Sequence, residues 1–416
     1  MAYHDVGIVG GGCAGLFLAR ELAVRGCDCI VIEKDPAAAH ASTRNQGWLQ
    51  SGSFYAAVDD AAAARGCREG FDYITETYPD AILREVESYF LFRSQQGLTG
   101  TLERCRREGI PINAIGGKEI RKIQDENPIL HGTPLDYMAQ VYDRPFDTRH
   151  LLQTVADEVA SCRVEPMEIA SLDSITASPK NHEWIVNVGN RSGIGCRILV
   201  LACGAYIPEL LERITPEIPL AVEITKTPVL VLQGHQICRY AIMMPLEPGG
   251  LNLVPFKPIE DVAGVSVCLS RTDYPIDRAG NDFLPPKTPE AFAASLEAHL
   301  PGIREVVQAS SRRVEAHFYT CQKLKEKLNG SSRGPLAQYY EDWRLGVFYP
   351  GKFTSSPIAA SRFADDLCKQ FGKKTVAGSG GEPLRVARQR YYDQADHRVE
   401  VTGGGVRFQL GRGVAE

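Results

Sequence analysis

Glycines at positions 10, 12 and 15, in the run Gly10-Gly11-Gly12-Cys13-Ala14-Gly15, repeat a G-x-G-x-x-G spacing. Each glycine has a separate physical use when a chain must grip a diphosphate. Gly10 permits a tight turn, Gly12 lets backbone approach the anion, and Gly15 lets a helix pack close to a strand. The residues that open that helix, Cys13 and Ala14, then offer unpaired N–H groups and a partial positive charge to phosphate oxygens. Glu33 follows about 20 residues on, where a carboxylate accepts bonds from ribose hydroxyls. An acid at 33, with Lys34 beside it, points to NAD or FAD rather than a nucleotide carrying a 2′-phosphate.

Those groups need a strand before the turn, a helix after it and a second strand ending on the acid. Val6 to Val9 is a short apolar run of strand type, and Ala14 to Val24 has helical periodicity with Leu16, Leu18, Ala19, Leu22 and Ala23 on one face. Gly26 stops the helix, and Cys29 to Ile32 reads as the second strand. A remote strand, Arg197 to Leu201, runs into Ala202-Cys203-Gly204-Ala205-Tyr206 with one glycine at its end. No second G-x-G-x-x-G accompanies it, so no separate nicotinamide domain is expected and FAD is the expected ligand. Ile169, Ala202, Cys203 and Gly204 are further expected contacts of the cofactor.

The bulk numbers narrow the partners. The 416 residues carry a formal charge of −5 and 44% hydrophobic content. That is enough for a large core in two or three domains. No basic stripe stands out to displace counterions, so no nucleic acid is expected. Twelve cysteines are scattered along the chain without a CxxC pair or a His/Cys spacing suited to zinc, so no metal is expected and the thiols read as buried and free in a reducing cytosol. No leader and no apolar run of about 20 residues is visible, which predicts a cytoplasmic protein without a transmembrane segment.

Three stretches resemble the flavoprotein superfamily of D-amino acid oxidase, glycerol-3-phosphate dehydrogenase and L-2-hydroxyglutarate dehydrogenase. The first is STRNQGWLQSG, residues 42 to 52, which is similar to the hydroxyglutarate enzymes' flavin-contact loop. The resemblance implies that Thr43, Arg44, Asn45, Gln46 and Gly47 line the pyrophosphate and isoalloxazine, and that Gln50 faces the catalytic space where the family usually has histidine. The second lies at 243–273 and ends in Ser270-Arg271-Thr272-Asp273, where Arg271 stands as a candidate clamp for a substrate carboxylate. The third, GVFYPGKFTSSPIAASRFADDL, is similar to the GGKxTTxRxxAE segment of the glycerol-phosphate enzymes. It implies that Gly351, Lys352, Phe353 and Thr354 contact the cofactor. Physically the third stretch reads as strand, tight glycine turn and a helix opening near Ser355-Ser356-Pro357. A helix start and an ammonium at that point would stabilise negative charge on a flavin pyrimidine.

The resemblance departs at Ala316 to Lys323, which lacks the arginine that holds phosphate in the glycerol-phosphate enzymes. Tyr319-Thr320 is similar instead to a run in sarcosine-type amine oxidases, with His317 in the position of the cysteine that bonds to flavin there. His317 is also a candidate proton acceptor.

The expected class is α/β: a Rossmann-like FAD-binding domain with a mixed central sheet, plus an α+β substrate domain built on an antiparallel sheet. The FAD-binding domain is expected to be discontinuous, over 1–85, 148–217 and 331–372, with 86–147 and 218–330 forming the substrate domain. Residues 75–111 carry helical patterning, and Asp147 or Thr148 caps a helix that follows. The tail 373–416 contains HRVEVTGGGVRFQLG, which reads as a hairpin. The expected activity is hydride removal from a CH–OH or CH–NH group of a small, anionic substrate, a hydroxy acid or amino acid, with dioxygen or another acceptor downstream. The alternatives are a sarcosine-type amine oxidase, a flavin hydroxylase and a non-catalytic FAD-binding module.

Overall fold

The computed structural model describes residues 3–35, 37–161, 165–168, 175–180, 183–188, 193–233, 238–247, 250–259, 262–269, 273–279, 288–303, 305–306, 315–326, 335–371, 397–402 and 405–408. The amino-terminal motif folds as its spacing predicts. Strand Tyr3–Val9, helix Cys13–Val24 and strand Cys29–Glu33 follow one another, and the two strands pair in parallel. The helix stops because Gly26 adopts φ +76°. Its N–H donates to Ala23 O at 2.8 Å while that of Cys27 donates to Leu22 O at 3.0 Å, a left-handed cap that suits glycine.

These strands sit inside an eight-stranded sheet whose parallel centre runs in the order Leu345–Tyr349, Ile194–Leu201, Tyr3–Val9, Cys29–Glu33 and Glu165–Glu168. Strands Leu336–Tyr340, Glu183–Val188 and Ile175–Lys180 add antiparallel neighbours. The α/β class expected from the sequence is thus observed. Because the central strands share a direction, Val9, Glu33, Leu201 and Tyr349 all emerge on one edge, where α/β sheets bind ligands.

One sheet face is covered by three helices. Leu16, Phe17 and Leu18 of the first helix are fully buried against Leu151, Leu152 and Val155 of helix Thr148–Ser161 and Ala360, Phe363 and Leu367 of helix Ser356–Lys369. Each such side chain contributes about 1.5–3 kcal/mol of hydrophobic stabilisation. Helix Thr148–Ser161 is capped by Asp147, whose Oδ1 accepts from the N–H groups of Arg149 and His150 at 3.0 Å each.

An eleven-stranded sheet lies beside the first. Its longest pair, Val222–Gln233 and Glu315–Glu326, runs antiparallel in unbroken register. Within 75–111 the structure departs from the helical reading: Ser88–Phe92 is a strand, paired in parallel with Ala241–Met243 and antiparallel with Tyr137–Val141. The five residues Ser-Tyr-Phe-Leu-Phe are buried and aromatic-rich, and too short to break the helical periodicity around them. Helices Ala61–Thr77 and Gln95–Arg107 flank that strand. At the far side of the same sheet, His397–Thr402 pairs with Gly405–Phe408 around the TGGG run. The two sheets touch where the Leu324 N–H donates to Tyr349 Oη at 3.2 Å.

Candidate active site

The edge of the parallel sheet opens into a cavity of about 340 Å³ lined from both sheets. On one side stand Gly10, Gly12, Cys13 and Ala14, with Glu33 and Lys34 at the end of the second strand and Ala202, Cys203 and Gly204 at the end of the third. Gly15 lies beneath, and its role is steric: a Cβ there would sit 1.8 Å from the Gly10 carbonyl oxygen. A Cβ on Gly10, which has φ +114°, would sit 2.7 Å from the backbone of Ala202 and Cys203. The turn is therefore closed to side chains from both sides.

Glu33 is held rigidly. Its Oε2 accepts from Gly11 N at 2.6 Å, and its Oε1 from Lys34 N at 2.7 Å and Asp35 N at 3.2 Å. At the helix start, the N–H of Cys13 donates to Ser42 Oγ at 2.9 Å. Ser42 is a polar neighbour of the glycine turn that spacing arguments missed; its only signal was its place at the head of STRNQG.

The loop after Ser42 is pinned from within. Thr43 is buried and its hydroxyl donates to Ala38 O at 2.6 Å. Asn45 bridges Ser42 O and Gly47 N at 2.7 and 2.8 Å, and Gly47 takes φ +70°. Arg44, Asn45, Gln46, Trp48 and Gln50 line the cavity, whereas Thr43 and Gly47 support it from behind. Strand Trp48–Leu49 pairs with Arg144–Pro145, which carries Asp143 under the loop. Asp143 is fully buried and accepts from Trp48 Nε1 at 2.9 Å, Ser51 N at 2.7 Å and the Ser51 hydroxyl. Burial pushes its carboxyl up to about 6, against the opposing bonds from Ser51 and Trp48. Nothing in Tyr142-Asp143-Arg144 announced this residue in the sequence.

Gly351, Lys352, Phe353 and Thr354 line the same cavity, in a turn where Gly351 has φ +75°. The Lys352 ammonium lies 5.0 Å over the ring of Tyr55, another residue without a sequence signal. Thr354 Oγ1 accepts from Gln50 N at 3.2 Å, so the Gln50 loop and the lysine turn are fixed to each other. Helix Ser356–Lys369 opens here, with Pro357 in its first turn, and Ser356 Oγ lies 3.6 Å from Cys13 Sγ. The two helix starts are therefore neighbours.

The larger sheet supplies the remaining wall in rows fixed by register. Met243, Asn252, Cys268 and Val229 are successive cross-strand partners, and Thr227 pairs with Cys321 in the next row. All six line the cavity. Asp273 is tied to Lys325 at 2.8 Å, to Lys323 at 3.6 Å and to the Thr227 hydroxyl. Burial alone would push its carboxyl up, but the Lys323 charge and the bonds from Lys325 and Thr227 hold it well below the usual carboxylate range. Of the other candidates, His317 belongs to strand Glu315–Glu326, paired with Val231 and Arg398, and its side chain lies outside the described residues. Arg271 and Ile169 also lie outside them.

Residues 5–357 match the model of the DAO family, described as FAD dependent oxidoreductase. The chain belongs to this family. Its cofactor is FAD, and the glycine turn, closed to side chains at Gly10 and Gly15, with the Glu33 carboxylate at the end of the neighbouring strand, suits a dinucleotide. One component of the anaerobic glycerol-3-phosphate dehydrogenase of Haemophilus influenzae is 36% identical over 133 residues, covering 31% of this chain and 23% of that protein. The chain thus matches about a quarter of the length of that curated relative. Among solved structures, L-alpha-glycerophosphate oxidase from Mycoplasma pneumoniae with FAD bound superposes with a TM-score of 0.69 at 15% identity, over 92% of this chain and all of that one. Glycine oxidase from Geobacillus kaustophilus gives 0.67 at 16%, over 94% and 100%. These likenesses define the family fold. Among the described residues, no helix is long and apolar enough to cross a membrane.

Proposed function

We propose that this chain is an FAD-dependent oxidoreductase that takes a hydride from a carbon bearing a hydroxyl or amino group on a small anionic substrate. One observation carries the reading: the glycine turn and the Lys352 turn line a single cavity, with their helix starts in contact through Ser356 and Cys13. When bound, FAD supplies the hydride acceptor.

The protein's own groups have separable tasks. The N–H groups of Gly12 and Ala14 and the start of the first helix hold the diphosphate, with the Cys13 N–H turned to Ser42, and Glu33 anchors a ribose. Lys352 and the start of helix Ser356–Lys369 supply positive charge for an anion developing in the cavity. Gln50, buried and anchored through its backbone to Thr354, forms a polar wall for the substrate. Arg271 is proposed to hold the substrate anion, and His317 to accept the proton that leaves with the hydride. Cytoplasmic residence is proposed as well, supported by eleven free cysteines among the described residues.

The test is anaerobic. Purified protein should be yellow, and its flavin should bleach with members of a panel of 2-hydroxy acids, amino acids and glycerol 3-phosphate, and stay oxidised with NADPH. Admitting dioxygen then separates an oxidase, which recovers colour quickly, from a dehydrogenase. Colourless protein that gains no colour from excess FAD would overturn the reading, as would flavin reduced by NADPH alone.

A further inference from the structure

We propose that Cys27 and Cys368 form a reversible disulfide under peroxide, a redox clamp on the two helices whose starts meet at the cofactor cavity. The two sulfurs lie 3.2 Å apart although 341 positions separate them in the chain. Cys27 follows the glycine cap of the first helix, and Cys368 lies in the last turn of helix Ser356–Lys369. These helices already meet at their other ends, where Ser356 Oγ lies 3.6 Å from Cys13 Sγ. Between the two meeting points, Arg25 reaches across to Asp365 at 2.8 Å and to Ser361 Oγ at 2.9 Å. The thiols therefore close a seam that is already aligned, and their sulfurs need approach by only about 1 Å to reach a bond of about 2.05 Å.

The chemistry of the pair is asymmetric. The thiols share one hydrogen bond in which either sulfur can donate; that contact and the Arg25 guanidinium hold the Cys368 thiol below its ordinary range, while Cys27 is pushed up by the same contact and by burial. Asp5 and Asp365 face the pair and oppose the Arg25 effect on Cys368. By contrast, burial pushes the thiols of Cys67, Cys105, Cys196 and Cys238 up to about 12, leaving almost no thiolate there. Cys368 is also half-buried rather than enclosed, within reach of a small oxidant.

The reaction balances with one hydrogen peroxide. The Cys368 thiolate attacks a peroxide oxygen, the O–O bond breaks, and hydroxide leaves and takes a proton to become water. The Cys27 sulfur then attacks the sulfenic sulfur of Cys368; the S–O bond breaks and a second water leaves with the Cys27 proton. Two thiols are oxidised by two electrons and one peroxide is reduced to two waters. The resulting bond ties the diphosphate turn to the lysine turn through their shared helices. It slows cofactor loss and raises the unfolding temperature, because it closes a very long loop in the unfolded chain.

The experiment uses FAD-loaded protein, reduced with dithiothreitol, desalted and treated with one equivalent of hydrogen peroxide. The expected results are an intact mass lower by about 2 Da, the loss of two hydrogens, and a peptide map with residues 27 and 368 in one cross-linked species that dithiothreitol separates. Flavin release on dilution should slow at least several-fold, and C27S should divert the reaction to a sulfenic acid trapped at Cys368 by dimedone. An unchanged mass, a gain of oxygen without cross-linked peptide, or a cross-link that leaves flavin release unaltered would each overturn the clamp. Mapping of the unsubstituted protein decides the matter even if a variant fails to fold.

Discussion

Replacing Asp143 with Asn tests whether the cofactor loop rests on a buried charge. In the folded protein this carboxyl is raised from its ordinary 3.8 to about 6, with burial the largest cause. At about 1.4 kcal/mol per pH unit, the rise corresponds to about 3 kcal/mol. The folded value exceeds the unfolded one, so the folded state binds a proton that the unfolded chain has already released between about pH 4 and 6. The associated stability is fully present below about pH 4, declines as pH rises, and is gone above about pH 6. Asn does not titrate. Its amide keeps one acceptor but turns an N–H group toward either Trp48 Nε1 or the Ser51 N–H, and one unsatisfied buried donor costs about 1–3 kcal/mol at every pH. D143N should therefore be clearly less stable than the parent at pH 4. By pH 7 the gap should have moved by about 2–3 kcal/mol in the variant's favour. Urea unfolding of both proteins at the two pH values, followed by tryptophan fluorescence, measures the double difference, in which the titrations common to both proteins cancel. A gap that is the same at both pH values to within about 1 kcal/mol would refute the buried-charge reasoning.

Gly15→Ala places a methyl 1.8 Å from the Gly10 carbonyl oxygen, a clash with backbone that the turn can relieve only by opening. The expected outcome is protein with flavin absorbance reduced roughly tenfold or more and stability lowered by about 1–3 kcal/mol. Asp147→Ala removes the two 3.0 Å capping bonds of helix Thr148–Ser161; the urea midpoint should fall by the equivalent of about 1 kcal/mol with flavin content unchanged. Lys352→Met keeps the side-chain stem over Tyr55 and deletes the charge. Stopped-flow flavin reduction by the best substrate should slow roughly 100-fold with the urea midpoint unaltered, and an unaltered rate would remove Lys352 from the chemistry.

Sequence reading succeeded where a function is local. The glycine turn, the helix stop at Gly26 and the Gly351 turn before helix Ser356–Lys369 each compress one backbone requirement into a few residues, and each is found where its residues predict it. The α/β class followed from the same motifs. What escaped was contact between distant segments. Asp143 meets Trp48 across 95 positions and Cys27 meets Cys368 across 341, and no period or motif encodes such pairs. The strand Ser88–Phe92 was hidden for a related reason: its conformation is set by the neighbours Ala241–Met243 and Tyr137–Val141, while its flanks carry helical patterning.

The same distinction separates the two walls of the cavity. The cofactor wall is built from turns that the chain specifies in place, so its chemistry can be read from spacing. The opposite wall is one row of cross-strand partners, Met243, Asn252, Cys268 and Val229, with Thr227 and Cys321 in the next row. A slip of one residue in any of these strands would turn its lining side chain to the other face, so the shape presented to a substrate is a property of register among five strands. The cofactor class is therefore written in the chain's local turns, whereas the opposite wall of the cavity, proposed to face the substrate, exists only once the sheet has paired. That is the physical reason a substrate panel, rather than a further motif, is the experiment this site calls for.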